Sequence, residues 1–190
     1  MKPWILILPL AFIIGLGAQY WWQTSNTPAP ITALLGSGQN TNVDLFESSD
    51  ARIRVVYFGF TRCPDVCPTS LAMLSGALNQ LEEDELAQIR PIFISLDPDR
   101  DDAALAHQYA QYFHPSIEGM SGDLTTISRL AQQYGVIYQQ TPLEGSELDY
   151  TLDHNSYFYF INPQGELLNK VPHALSPAPV LSAIKTITKP

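Results

Sequence analysis

The 190-residue chain has only two cysteines, four histidines and three methionines, and no run of basic residues anywhere. Each scarcity excludes something. Two cysteines cannot build a disulfide framework, so the fold must stand on its own core, and an apolar content of 45% is enough to supply one. Ten basic residues against 19 acidic ones, net −9, leave no clustered Lys and Arg for a nucleic-acid backbone. Three methionines leave no methionine-rich tract for a soft metal ion. The charge runs that exist are acidic, such as Glu82-Glu83-Asp84-Glu85, and read as a solvated helix face. There are no internal repeats.

What is present begins with "WILILPLAFIIGLGAQYWW", Trp4 to Trp22, which carries no charge. As a helix it would span about 28 Å, close to the hydrocarbon thickness of a bilayer. Lys2 precedes it, and Tyr20, Trp21 and Trp22 follow as an interfacial belt would. A cleaved signal peptide has a shorter apolar core and a better small-residue site than Leu16-Gly17-Ala18. The expectation is therefore an uncleaved single-pass anchor over residues 1–23 in an inner membrane, with the remaining chain on the non-cytoplasmic, periplasmic side. Residues 24–42, rich in Thr, Ser, Asn, Pro and Gly, read as a linker, which places the folded domain at 43–190.

Within that domain "IRVVYFGF" (Ile53 to Phe60) and "IRPIFISLD" (Ile89 to Asp97) read as strands buried on both faces. Leucines 71, 74, 78, 81 and 86 recur at helical spacing over Thr69–Ile89. Helices are expected from Asp101 to His114, from Asp123 to Tyr134 and from Pro177 to Ile187. "VIYQQT" suggests a short strand, Gly145 to Asp153 a polar loop, and "SYFYFINPQGELLNKV" a hairpin turning at Asn-Pro-Gln-Gly. The order matches an α/β, thioredoxin-like sandwich with a late β-hairpin.

Both cysteines fall in "FGFTRCPDVCPTSL", directly after the first central strand. Pro64 suits the first position of the following helix, which would put Cys63 near its N-cap and Cys67 one turn on, on the same face. Backbone N–H groups and the positive end of the helix dipole favour thiolates there. Three residues separate the cysteines, where thioredoxins have two. That spacing allows a disulfide, and it also lets two thiolates splay towards one soft cation.

A third ligand is then expected among the histidines. His107 and His114 belong to a surface helix and His173 to a late loop, while His154 stands just before the hairpin, where thioredoxins place a cis-proline beside the cysteines. Here Ser156 stands near that position. Two thiolates and an imidazole suit a soft or borderline ion. Structural zinc usually takes four protein ligands, so the set reads as copper first, as Cu(I) or as Cu(II) with an added oxygen. The competing reading is a metal-free thiol-disulfide oxidoreductase outside the cytoplasm that uses Cys63 and Cys67 as its redox pair. A thiol peroxidase fits poorly, because the Pro-x3-Thr/Ser-x2-Cys pattern does not precede Cys63.

"FGFTRCPDVCPTSL", "ISLDPDRD" and "LDHNSYFYFINPQGEL" resemble, in order and spacing, the three signature segments of the Sco/SenC family. These are membrane-anchored, thioredoxin-like copper proteins that assist assembly of cytochrome c oxidase. The resemblance implies copper ligation by Cys63, Cys67 and His154, with Asp65 as a neighbouring or partner-docking carboxylate. It also implies a copper-accepting oxidase subunit as partner. The chain would deliver copper to that subunit's binuclear centre or reduce its cysteines. Arg62 stands where many members have histidine, and Ile31–Ala51 is a poor version of the family's N-terminal hairpin.

Overall fold

The computed structural model describes residues 33–188, together with the isolated positions 15, 17 and 19. Apart from those positions the apolar run Trp4–Trp22, and with it the expected anchor, lies outside the described residues. Among the described residues no helix is long and apolar enough to cross a membrane.

The stretch expected to be a linker carries structure. β1 (Leu34–Ser37) and β2 (Asn40–Asp44) form an antiparallel hairpin, so the N-terminal hairpin that the sequence signalled poorly does exist. Its pattern is weak because Leu35 is the one fully buried side chain in β1, while Leu34 is exposed and Gly36 and Ser37 are small. Gly36 lets it approach the molecule: a Cβ there would lie 2.6 Å from that of Ala103, and the Gly36 N–H donates to the Ser121 carbonyl at 2.7 Å.

The centre is a five-stranded mixed sheet of β3 (Ile53–Gly59), β4 (Ile89–Ser95), β5 (Glu118–Met120), β8 (Tyr157–Ile161) and β9 (Leu167–Pro172), in the order β5-β4-β3-β8-β9. β3, β4 and β5 run parallel, while β8 and β9 pair antiparallel to their neighbours. Pro91 sits inside β4 without breaking it. Its partner on β3 is Val55, and β5 joins the other edge only from Ile92 onward, so its missing N–H faces no strand. A second ribbon, β6 (Tyr138–Pro142) with β7 (Tyr150–His154), stands outside this sheet.

The helices are α1 (Val66–Leu78), α2 (Glu83–Leu86), α3 (Ala103–Phe113), α4 (Leu124–Tyr134) and α5 (Ala178–Ile187). Side chains alternate across β3. Tyr57 and its partners Phe93 and Phe158 face the side of Tyr109 on α3, whereas Phe58 faces Tyr159 and, behind it, Tyr134 of α4. The result is the thioredoxin-like α/β sandwich expected from the order of elements.

Two expectations change in detail. The helix predicted over Thr69–Ile89 is two helices. α1 stops at Leu78, Leu81 bonds back to Leu78 in a turn, and Glu82 with Glu85 forms a capping box that restarts the helix. The loop predicted over Gly145–Asp153 contains most of β7, where only Leu152 is buried, too few apolar positions to reveal a strand.

Candidate metal centre

β3 leads the chain to the cysteines through Gly59. A Cβ there would lie 2.9 Å from Cys67 Sγ and 3.0 Å from the Tyr57 ring, so only glycine leaves room for the buried sulfur. After the turn at Thr61-Arg62 the helix starts later than the sequence suggested. Its N-cap is Asp65, with φ −143° and ψ −70°, so Pro64 lies before the helix rather than in its first turn.

Cys67 is therefore the second helical residue. Its N–H is one of the donors that a helix start leaves unpaired, and Cys63 Sγ accepts it at 3.4 Å. The sulfur caps the helix where the dipole is positive. Both cysteines are free thiols, Cys63 half-buried and Cys67 fully buried.

That arrangement splits the two thiols. The hydrogen bond from the Cys67 thiol holds Cys63 down to about 4, against the effect of its partial burial. The N–H groups of Cys67 and Asp65 add to this. Cys67 moves the other way, because its bond to Cys63, its burial and the neighbouring negative charge all favour the protonated form. The pair stores one proton, on the inner sulfur.

His154, the last residue of β7, lies across from them. Its Nε2 is 3.4 Å from Cys67 Sγ and its Nδ1 is 3.2 Å from the Asn155 carbonyl. A carbonyl only accepts, so Nδ1 carries the hydrogen and Nε2 is the ring nitrogen that faces the sulfur. The ring is held edge-on by Tyr57 and Phe60, with centroids 6.3 and 6.0 Å away. The three residues singled out from the sequence thus come together from segments some 90 positions apart. Among the described residues no group of three His, Cys, Asp or Glu side chains is arranged so that it could hold a metal ion as it stands.

Asp65 is exposed, and its side chain makes no capping hydrogen bond. Arg62 is exposed beside it. His107 pairs with Ser37, and His114 accepts the Ser116 N–H, both away from the cysteines. Sequence reasoning missed two neighbours. Tyr57 hydrogen-bonds Ser156 at 3.3 Å, burial beside Cys67 raises its phenol, and its ring backs His154. Ser70, one turn past Cys67, bonds His173 Nδ1 at 2.8 Å. The His173 N–H in turn donates to the Ser156 carbonyl, tying the start of β8 to α1. No local pattern marks Tyr57 or Ser70, since both look like ordinary core positions.

A family model described as SCO1/SenC matches residues 38–189. The chain belongs to the SCO1/SenC family. It is 33% identical over 178 positions to the mitochondrial protein SCO2 homolog of Mus musculus, covering 84% of this chain and 69% of that protein. It is 28% identical over 195 positions to the SCO2-like protein of Rickettsia felis, covering 95% of each. Among solved structures, Arabidopsis thaliana ScoI with copper bound aligns at 30% identity with a TM-score of 0.71, over 80% of this chain and 94% of that one. SCO1/SenC relatives thus occur both in mitochondria and in bacteria.

Proposed function

We propose that this chain is a copper-binding assembly factor, which takes up one copper ion through Cys63, Cys67 and His154 and serves the binuclear copper centre of cytochrome c oxidase. The observation that carries the reading is the facing of a buried thiol and an oriented imidazole nitrogen at 3.4 Å, next to a second sulfur held as thiolate. Two sulfurs and a neutral imidazole form a soft donor set, which suits copper, and the Arabidopsis relative was solved with copper bound.

Copper here is cargo. Cys63, half-exposed and ionised, is the sulfur that an incoming or outgoing ion meets first. Cys67 and His154 hold the ion from the inner side, with His154 kept in register by its Nδ1–H bond. Asp65, exposed between the cysteines, is a carboxylate for the neighbourhood of the ion or for the acceptor subunit. The anchor at Trp4–Trp22, a domain on the non-cytoplasmic side and the copper-accepting oxidase subunit as partner complete the proposal.

The asymmetry of the thiols favours a second role at the same site. A low-pKa, accessible Cys63 beside a buried, protonated Cys67 is also the arrangement of a thiol reductant, so reduction of the acceptor's cysteines stands beside copper delivery. One experiment tests the primary reading. The reduced protein, purified with copper present, carries one copper per chain by elemental analysis. Protein that takes up no copper yet exchanges disulfides rapidly with glutathione would leave only the oxidoreductase.

A further inference from the structure

The segment "LDPDRD" follows β4 and touches neither sulfur nor imidazole, yet its side chains reach both halves of the site. Asp101 is fully buried and accepts three hydrogen bonds. They come from the Thr61 N–H at 2.8 Å, the Thr61 hydroxyl at 2.5 Å and the Ser95 hydroxyl at 2.7 Å. Thr61 lies two residues before Cys63. On the other side, buried Asp97 accepts the Tyr150 hydroxyl at 2.7 Å and Arg100 Nε at 2.6 Å. Arg100 Nη1 donates to the carbonyls of Leu148 and Tyr150, each at 2.9 Å, and its guanidinium lies 3.5 Å over the Tyr150 ring. Tyr150 opens β7, and His154 ends it. The turn itself is rigid, since the N–H groups of Arg100 and Asp101 both donate to the Asp97 carbonyl.

The consequence follows from topology. The β6–β7 ribbon pairs with no strand of the main sheet, so no backbone ladder fixes the distance between His154 and the cysteines. Asn155, next to His154, bonds Gly135 and Ile137, and Tyr138 bonds Ser128 of α4; at the Tyr150 end the polar anchor of the ribbon is the Asp97–Arg100 pair. We propose that Asp97, Arg100 and Asp101 are positioning residues for the metal site: Arg100 and Asp97 place the His154 ribbon through Tyr150, while Asp101 places Cys63 through Thr61. One five-residue turn then sets the separation of the two ligand-bearing segments. The inference rests on the copper reading for its functional meaning and on the contacts alone for its structural one.

The test uses the full-length reduced chain in detergent and Cu(I) held in competition with a chromophoric chelator. Arg100→Ala weakens Cu(I) binding by about 10–100-fold, the range usual for residues that orient ligands. Tyr150→Phe, which removes one hydroxyl and endangers no fold, weakens it less, and Arg100→Lys restores only part because an ammonium has no second nitrogen for Asp97 and no plane to lie on the Tyr150 ring. In a His154→Ala background Arg100→Ala causes no further loss, because the residue it positions is gone. Asp101→Asn, which leaves one amide oxygen for three donors, still weakens binding in that background, because it acts through Cys63. Additive losses for Arg100→Ala with and without His154 would overturn the proposal in favour of a general effect on the fold. A metal-free readout separates this from the copper reading. In apo protein Arg100→Ala speeds amide hydrogen exchange at residues 150–154 and leaves β3 unchanged. If the wild type binds no copper, the copper reading falls and the exchange result alone decides the clamp. Unchanged exchange at 150–154 sinks it.

Discussion

Cys67 and His154 meet at 3.4 Å, yet they arrive on parts of the chain that the fold secures in different ways. The cysteine segment is a continuation of β3, the strand flanked on both edges by main-sheet partners, and Cys67 sits in the first turn of a helix packed on that sheet. Its position is set by the core. The His154 segment belongs to a two-stranded ribbon outside the sheet, with mostly polar and half-exposed side chains. Its position depends more on side-chain contacts, the hydrogen bonds of Arg100 and Asn155 and the Tyr57 and Phe60 rings against His154. Core packing and a few polar contacts resist different perturbations, so the two halves of the site should fail differently.

The largest effect comes from the rigid half. Cys63→Ala or Cys67→Ala abolishes copper binding, since one thiolate and one imidazole hold the ion poorly, and elemental analysis of the reduced variants should find none. The two should differ in stability. Cys67→Ala leaves a void in a fully buried position, a large-to-small change of the kind that costs about 1 kcal/mol or more, whereas Cys63→Ala removes a helix cap, at about 0.5–2 kcal/mol. Full copper retention by either variant would remove the sulfurs from the site.

The ribbon half comes next. His154→Ala weakens copper binding strongly but leaves the Cys63–Cys67 disulfide able to form and to be reduced, because both sulfurs belong to the other segment. Metal titration alongside thiol counting before and after oxidation checks both parts. Loss of disulfide formation in His154→Ala would mean that the halves are not separable.

A third measurement sharpens the contrast within the rigid half. In reduced, metal-free protein iodoacetamide modifies Cys63 first and Cys67 slowly. A thiol lowered to about 4 is ionised above that value and loses its thiolate only as pH falls through it. The Cys63 rate should therefore stay level from neutral pH down to about pH 5, where an ordinary thiol of pKa about 8.5 is already silent. A rate that declines below pH 8.5 would show that the Cys67 bond does not hold the Cys63 thiolate.

How much of this was legible in the sequence follows the same division. β3 and β4 announced themselves by runs rich in β-branched and aromatic residues, and the helices at Ala103 and Leu124 by aspartates at their starts; Asp123 caps the second, whereas the first is capped by Asp102 rather than by the expected Asp101. Cys63, Cys67 and His154 could be picked out because those residue types are scarce. β1, β2 and β7 were not visible, because they are short and β1 and β7 each bury a single side chain, Leu35 and Leu152, which sets up no period. The start of α1 was misplaced by two residues, because Pro64 is equally at home just outside a helix. The bonds of Asp97, Arg100 and Asp101 span up to 53 positions and leave no local pattern at all.

The smallest expected effect concerns Asp65, at the join between the two cysteines. As an acidic residue at the start of α1 it could simply favour the helix dipole, worth about 0.3–1 kcal/mol. The structure narrows that role: its side chain makes no capping bond, and Cys63 Sγ takes the Cys67 N–H instead. Only the through-space dipole interaction remains for stability, and on an exposed side chain it is screened by water and salt. Asp65→Asn should therefore barely shift the thermal midpoint and should keep one bound copper. Its charge stands exposed beside the sulfur that a partner reaches first, so the change should appear instead as slower transfer to the acceptor subunit. Transfer rates measured at matched copper loading, in low and in high salt, decide the matter. Slower transfer at low salt that converges with the wild type as salt rises marks Asp65 as a docking charge. Slower transfer at every salt concentration marks a direct influence on the ion, and equal rates throughout would return Asp65 to the helix.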